Sequence, residues 1–212
     1  MTVIDLDAID RTPVEHDPFD FFVVRNCIDR EALTAINHDY PAIEGPGNPS
    51  VNQLHYGPAF GDLLEAVQSP EFAASMQRKF CVELDPSVTA TTVRKYCEKS
   101  DGNIHRDHRS KIVTVIMYFN AEWVVEEGRL RMLRRDRDLE HYAAEVSPLN
   151  GTLLAFLRSD HSWHGHKPFE GERRMLQLSY LRADPLVRLR RRIDRLATLT
   201  MKKAAPLFST GN

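Results

Sequence analysis

KIVTVIMYFN, residues 111–120, reads as a β-strand from end to end. β-Branched and aromatic residues fill most of its positions, and the apolar run is nearly unbroken, as in a strand covered on both faces. The same texture extends in both directions. Upstream, Val88–Cys97 is rich in Thr, Val and Tyr. Downstream, Arg129–Leu133, Ala144–Val146, Thr152–Leu157 and Arg173–Leu181 read as strands, with Asn150-Gly151 as a turn. Several short strands separated by turn signals predict a sandwich, a barrel or a jelly roll. The flanks differ. Phe19–Arg25 reads as an early strand, and Asp29 offers an N-cap for a helix through Asn37. A loop rich in Pro, Gly and Asn runs from Pro41 to Asn52. Helices follow over Ala59–Gln68 and Pro70–Phe80, the latter capped by Ser69 with Pro70 in its first turn. At the far end, Asp184–Lys203 repeats Leu186, Leu189, Ile193 and Leu196 at helical spacing with arginines between them. The expectation is an α+β chain with a mainly β core. It forms a single domain over 1–212, with helical and strand support in 1–86, the core in 87–182 and a basic helix and tail in 183–212.

The composition fits an ordinary globular protein. Of 212 residues, 42% are hydrophobic and 27% charged. The 28 Lys and Arg against 30 Asp and Glu give no electrostatic commitment to nucleic acid, so no nucleic-acid partner is expected. Charge is uneven, with an acidic N-terminus and a basic C-terminus. Cys27, Cys81 and Cys97 are too few and too scattered for a disulfide framework, and none pairs as Cys-x-x-Cys. The start of the chain lacks a basic region followed by an apolar stretch, and no run approaches the roughly 18 apolar residues of a membrane span. The expected setting is cytoplasmic, with no membrane contact. The C-terminal helix is the candidate surface for a homo-oligomer.

Two segments carry the chemistry. Asn103-Ile104-His105-Arg106-Asp107-His108 precedes the strongest strand, and Ser159-Asp160-His161-Ser162-Trp163-His164-Gly165-His166 follows the strand TLLAFL. Both lie at strand ends, where a rigid sheet holds functional loops. A lone His-x-Asp is common, and His-Arg-Asp also occurs in kinase catalytic loops, but the Gly-rich loop, strand lysine and Asp-Phe-Gly of a kinase are missing. Three clustered histidines could equally be a solvated loop or a zinc site. The combination is more specific. Two imidazoles and one carboxylate leave coordination positions open, which suits a non-haem Fe(II) that must take both an oxo acid and O2. An oxo acid with a second carboxylate also needs a cation. Arg173 and Arg174 follow His164 by nine and ten residues, after a turn at Gly171, and an arginine fork meets a carboxylate bidentately.

From residue 90 to 182 the chain resembles the prolyl-hydroxylase-like branch of the Fe(II)- and 2-oxoglutarate-dependent oxygenases. The likeness runs in order through HRD (105–107), IMYFNAEW (116–123), EGRLRML (127–133), PLNGTLLAF (148–156) and HGHKPFEGERR (164–174). It implies a double-stranded β-helix, or jelly roll, and an enzyme that hydroxylates its substrate while 2-oxoglutarate leaves as succinate and CO2. It implies Fe(II), 2-oxoglutarate and O2 as cofactor and co-substrates. It places iron on His105, Asp107 and His164. The anchor for the far carboxylate is Arg173 by the nine-residue spacing or Arg174 by the ten-residue spacing. Arg173 is preferred because Gln177 and Ser179 then share its inward face. Tyr118 takes the position of a tyrosine that supports the same carboxylate. Tyr96 and Arg94 share a face of the strand before His-x-Asp, where they line the cofactor or substrate pocket or else serve packing. The usual Gly-Gly before the Leu-x-Leu strand is Glu127-Gly128 here, which bears on a substrate loop rather than the metal. Asp107 stands where halogenating relatives carry a small residue, so hydroxylation or another oxidation is expected.

His161, Trp163 and His166 flank the distal ligand, and packing or support of the site is the expectation for each. The substrate is a small molecule, a glycan or a protein side chain, and it is expected against the 41–57 loop and the 127–141 segment. A small molecule or glycan leads, because nothing marks a long peptide groove. The alternative is a cupin-like metal protein with non-oxidative chemistry or a sensory role, which needs no arginine after the last ligand.

Overall fold

The computed structural model describes residues 3–182. Among the described residues eight strands make two antiparallel sheets. They are β1 (Phe21–Val24), β2 (Thr89–Cys97), β3 (Lys111–Tyr118), β4 (Leu130–Leu133), β5 (Tyr142–Val146), β6 (Thr152–Leu157), β7 (His164–Gly165) and β8 (Gly171–Leu181). The larger sheet has the order β1-β6-β3-β8-β2 and the smaller β5-β4-β7. The strand β3 sits at the centre of the larger sheet between β6 and β8. Its alternate residues serve two cores. Val113, Val115 and Met117 face a layer of helices, while Ile116 and Tyr118 face a second cluster with Leu130, Met132 and Val146 of the smaller sheet. The apolar run is unbroken because both faces of the strand are covered.

The helices are α1 (Leu6–Arg11), α2 (Arg30–His38), α3 (Pro58–Val67) and α4 (Pro70–Phe80). Their starts follow the expected cap chemistry. Asp29 accepts from the Glu31 and Ala32 N–H groups at 2.8 and 3.4 Å, and Ser69 accepts from Phe72 N–H at 3.1 Å. Phe60, Leu63, Phe72 and Met76 turn inward onto the outer face of the larger sheet. Besides a short 3-10 turn over Val51–Gln53, two elements were not anticipated. One is α1, whose six residues are too few to show a periodicity, with Asp5 capping at 2.8 Å from Ala8 N–H. The other is β7, two residues long and paired with β4 through Met132 and His164. The mainly β core with N-terminal helices is as expected. The helix expected at 184–203 lies outside the described residues. Among those residues no helix is long and apolar enough to cross a membrane.

Candidate active site

His105, Asp107 and His164 each offer a ligand atom, and these atoms lie within 4.8 Å of one another. Two chain segments distant in sequence are stitched here by reciprocal backbone bonds. His105 N–H donates to His164 C=O and His164 N–H to His105 C=O, both at 3.0 Å. Gly165 makes the approach possible, because a Cβ there would stand 2.9 Å from the Gly102 carbonyl oxygen and 3.1 Å from Ile104 Cα. Each imidazole is oriented by a carbonyl two residues back. The Nδ1 of His105 lies 2.8 Å from Asn103 C=O, and that of His164 lies 3.0 Å from Ser162 C=O. A carbonyl can only accept, so Nδ1 carries the proton and Nε2 presents its lone pair, which is the tautomer a metal needs. Burial, and then the neighbouring His105, push His164 down to about 4, so it is neutral at physiological pH. Asp107 is 8% exposed. Its two oxygens are held by Lys111 Nζ at 2.7 Å and Thr114 Oγ1 at 2.5 Å. Burial opposes its charge, but Lys111, His164 and Thr114 outweigh that and lower its pKa. The donor set, two neutral nitrogens and one carboxylate, fits a divalent transition metal with open positions.

A second cluster lies further along the same interior. Arg173 is 3% exposed. Its guanidinium donates to Gly128 C=O at 2.8 Å and Tyr118 Oη at 3.2 Å, and meets Met175 Sδ at 3.2 Å. None of these partners is negatively charged. A buried guanidinium without a carboxylate is costly unless a ligand supplies one. Tyr118 is fully buried, and burial raises its pKa despite Arg173, so the phenol keeps a proton to donate. Arg174 goes the other way. It pairs with Glu172, reaches Asn37 and lies over the Tyr40 ring on the helical side. The two consecutive arginines therefore serve opposite faces of β8, and Arg173 is the one facing Tyr118.

Residues 91–182 match the model of the 2OG-Fe(II) oxygenase superfamily. Over these residues the chain is similar to that superfamily. A search of curated proteins gives no match. Solved structures share the fold. A Pseudomonas putida prolyl-4-hydroxylase is 17% identical, with 87% of this chain and 96% of that one covered and a TM-score of 0.57. A Trichoplax adhaerens prolyl hydroxylase, in complex with a hypoxia inducible factor oxygen degradation domain peptide fragment, is 15% identical, with 84% and 87% covered and a TM-score of 0.56. The viral collagen prolyl hydroxylase of Paramecium bursaria Chlorella virus-1, in a 2OG complex, is 12% identical, with 77% and 96% covered and a TM-score of 0.50. The stretch that carries the triad and Arg173 is thus similar to oxygenases that use Fe(II), 2-oxoglutarate and O2.

The remaining sequence candidates fall into place unevenly. His161 is exposed, whereas His166 is buried beside the arginine cluster. Burial, then Arg173, push His166 down to about 4. Trp163 is half-buried, with the Arg106 guanidinium 4.3 Å from its ring. Tyr96 is affected by a slip in the ladder. On an unbroken ladder from the pair Arg94↔Met175, Tyr96 would face Arg173, but it faces Glu172 instead. Cys97 comes to Arg94 in its place, Sγ to Nη1 at 3.2 Å. Alternation along β2 could not show this, because a bulge resets which residues share a face. Gly128 accounts for the departure at Glu127-Gly128. Its φ is +74°, a Cβ would meet Trp123 at 2.7 Å, and its carbonyl receives Arg173, so only this second glycine is required by the backbone. Lys111 and Thr114 were not picked out from sequence, although both follow Asp107 within one strand-length. The Arg94–Asp101 pair, at 2.5 Å, closes the same interior. Only its arginine was marked, as a possible pocket wall.

Proposed function

We propose that His105, Asp107 and His164 hold the Fe(II), and that Arg173, supported by Tyr118, holds the far carboxylate of 2-oxoglutarate. The observation that carries the reading is the buried, uncompensated Arg173 in the same interior as two imidazoles whose tautomers are already set. The chain's own part is orientation and exclusion of water. Asn103 and Ser162 carbonyls aim the two Nε2 atoms, Lys111 and Thr114 keep Asp107 ionised and fixed, and the Arg173 fork with the Tyr118 hydroxyl receives the carboxylate. Bound iron supplies the oxidative chemistry, by which O2 is divided between the departing succinate and the hydroxylated substrate. The two sheets enclosing this interior are read as the two halves of a jelly roll, supported by their shared apolar cluster.

The leading substrate class is a small molecule or glycan. Bridges from Pro46 and Ser50 to Tyr96 and Thr92 cover the outer edge of β2, which favours a closed pocket over strand pairing with a peptide. A protein side chain is the second reading, favoured by the prolyl-hydroxylase fold and by the peptide bound in one of those structures. A reducing, cytoplasmic setting agrees with three free cysteines. The test is 2-oxoglutarate decarboxylation by the Fe(II)-loaded protein, read as succinate, first alone and then with metabolite extracts or peptide pools. A cupin-like protein of non-oxidative chemistry would release none. Stimulation by peptides alone would decide for the second substrate reading.

A further inference from the structure

The anchor strand carries one residue too many where it matters. Between the pairs Arg94↔Met175 and Tyr96↔Glu172, β2 has one residue, Lys95, and β8 has two, Arg173 and Arg174. Such a bulge breaks the ladder and leaves backbone groups in need of other partners. Two side chains from elsewhere supply them. Asn120, just beyond the end of β3, accepts from Arg174 N–H at 2.8 Å. Its amide donates to Arg174 C=O at 3.2 Å and to Pro148 C=O at 2.6 Å. It is buried and takes the Arg174 N–H on the β3 side, where Phe119 N–H donates to Arg174 C=O at 3.2 Å beyond the pair Tyr118↔Met175. From the helical side, the Tyr40 hydroxyl lies 2.7 Å from Arg94 C=O and 3.0 Å from Met175 C=O, the very pair that borders the slip. Phe60 and Phe119 hold the Tyr40 ring at 5.2 and 5.8 Å.

We infer that Asn120 and Tyr40 are positioning residues for 2-oxoglutarate: they clamp the slipped rung that carries Arg173, and so fix where its guanidinium meets the far carboxylate. The inference rests on the assignment of Arg173 as that anchor. The backbone after Arg173 is held at three atoms, the N–H and C=O of Arg174 and the C=O of Met175, and none of the three clamping contacts is a regular ladder bond. A carboxamide is suited to the Arg174 peptide because it donates and accepts in one plane, which neither a carboxylate nor a methyl can do. Without it the extra residue can shift along β8, and the Arg173 fork loses its fixed relation to Tyr118 and Gly128. The metal ligands stand on other segments and are not moved.

The test compares two oxo acids. Binding of 2-oxoglutarate and of 2-oxopentanoate, which lacks the far carboxylate, is measured by calorimetry on the full chain loaded with Mn(II) and kept free of O2. The wild-type preference for 2-oxoglutarate reads the anchor directly. Asn120→Ala should reduce that preference by on the order of tenfold, the cost of leaving the Arg174 N–H unpaired, with 2-oxopentanoate affinity unchanged. Tyr40→Phe should reduce it in the same selective way by a smaller factor, and it decides the question if Asn120→Ala does not fold. Equal loss of both acids would show a merely structural role and overturn the inference, as would an unchanged preference. Arg173→Met is the control for the underlying assignment. If it erases the preference while Asn120→Ala and Tyr40→Phe do not, only the clamp is wrong. If it leaves the preference intact, the anchor itself is misassigned and the clamp falls with it.

Discussion

The metal end and the anchor end of this interior are built in opposite ways. At the metal end each ligand is held largely by its near neighbours in the chain. His105 is oriented from Asn103, His164 from Ser162, and Asp107 from Lys111 and Thr114. The long-range bonds run through the backbone, between His105 and His164, between His164 and Met132 of β4, and from Arg158 Nε to Asp107 C=O at 3.3 Å. At the anchor end almost nothing is local. Arg173 depends on Tyr118 and Gly128, and its backbone setting on Asn120, Tyr40 and a slipped ladder with β2. The lesson is that a compact ligand motif carries its own orientation, whereas one charged side chain placed in a dry interior must be positioned by the whole sheet.

The sharpest way to break this comparison is at the metal end. His105→Ala or His164→Ala should abolish stoichiometric Fe(II) binding, because one of three protein ligands is gone, whereas His161→Ala and His166→Ala should retain it. A metal assay in which His164→Ala keeps iron and His166→Ala loses it would move the distal ligand. Next in size is the anchor. Arg173→Ala should weaken 2-oxoglutarate by about 2–5 kcal/mol, the penalty for stranding one partner of a buried charge pair. Initial rates at varied 2-oxoglutarate should show this as a raised KM, with metal content unchanged.

The link between the two ends can be strained at Gly102. Its φ is +86°, and an added Cβ would lie 2.3 Å from the His166 ring. Gly102→Ala should therefore destabilise the metal-free chain by about 1–3 kcal/mol, seen as a lower urea midpoint. A neutral result would mean that the 98–104 turn does not hold the two segments together.

Acid should act on both ends at once. His164 and His166 are each pushed from the ordinary value of 6.5 down to about 4. Between those values the unfolded chain binds protons that the folded chain refuses. Stability of the metal-free protein should therefore fall as pH drops from 6.5 towards 4, and fall further below that as Asp107, held under the usual carboxylate range, takes up its proton. Each pH unit across this window is worth at most about 1.4 kcal/mol per histidine. Thermal melts across this range check the sign, and a flat profile would mean that both imidazoles are solvated. The smallest effect is expected at Arg174, whose pairing with Glu172 is half-exposed. Arg174→Ala should cost under about 1 kcal/mol of stability and leave the 2-oxoglutarate KM within a few-fold of wild type. A larger effect than that of Arg173→Ala would reverse the assignment of the two arginines.

By itself the sequence determined the strand-rich core, the helix caps at Asp29 and Ser69, and the two short motifs holding His105, Asp107 and His164. These are legible because strand propensity, capping and local ligand orientation act over a few residues. It also bounded the anchor to two adjacent arginines. Only the tertiary structure decided between their faces, moved Tyr96 out of line with Arg173, and brought Asn120 and Tyr40 to the slipped rung. The physical reason is that a bulge is a property of two strands together. Neither β2 nor β8 read alone contains the register between them, and a one-residue slip changes every partner beyond it.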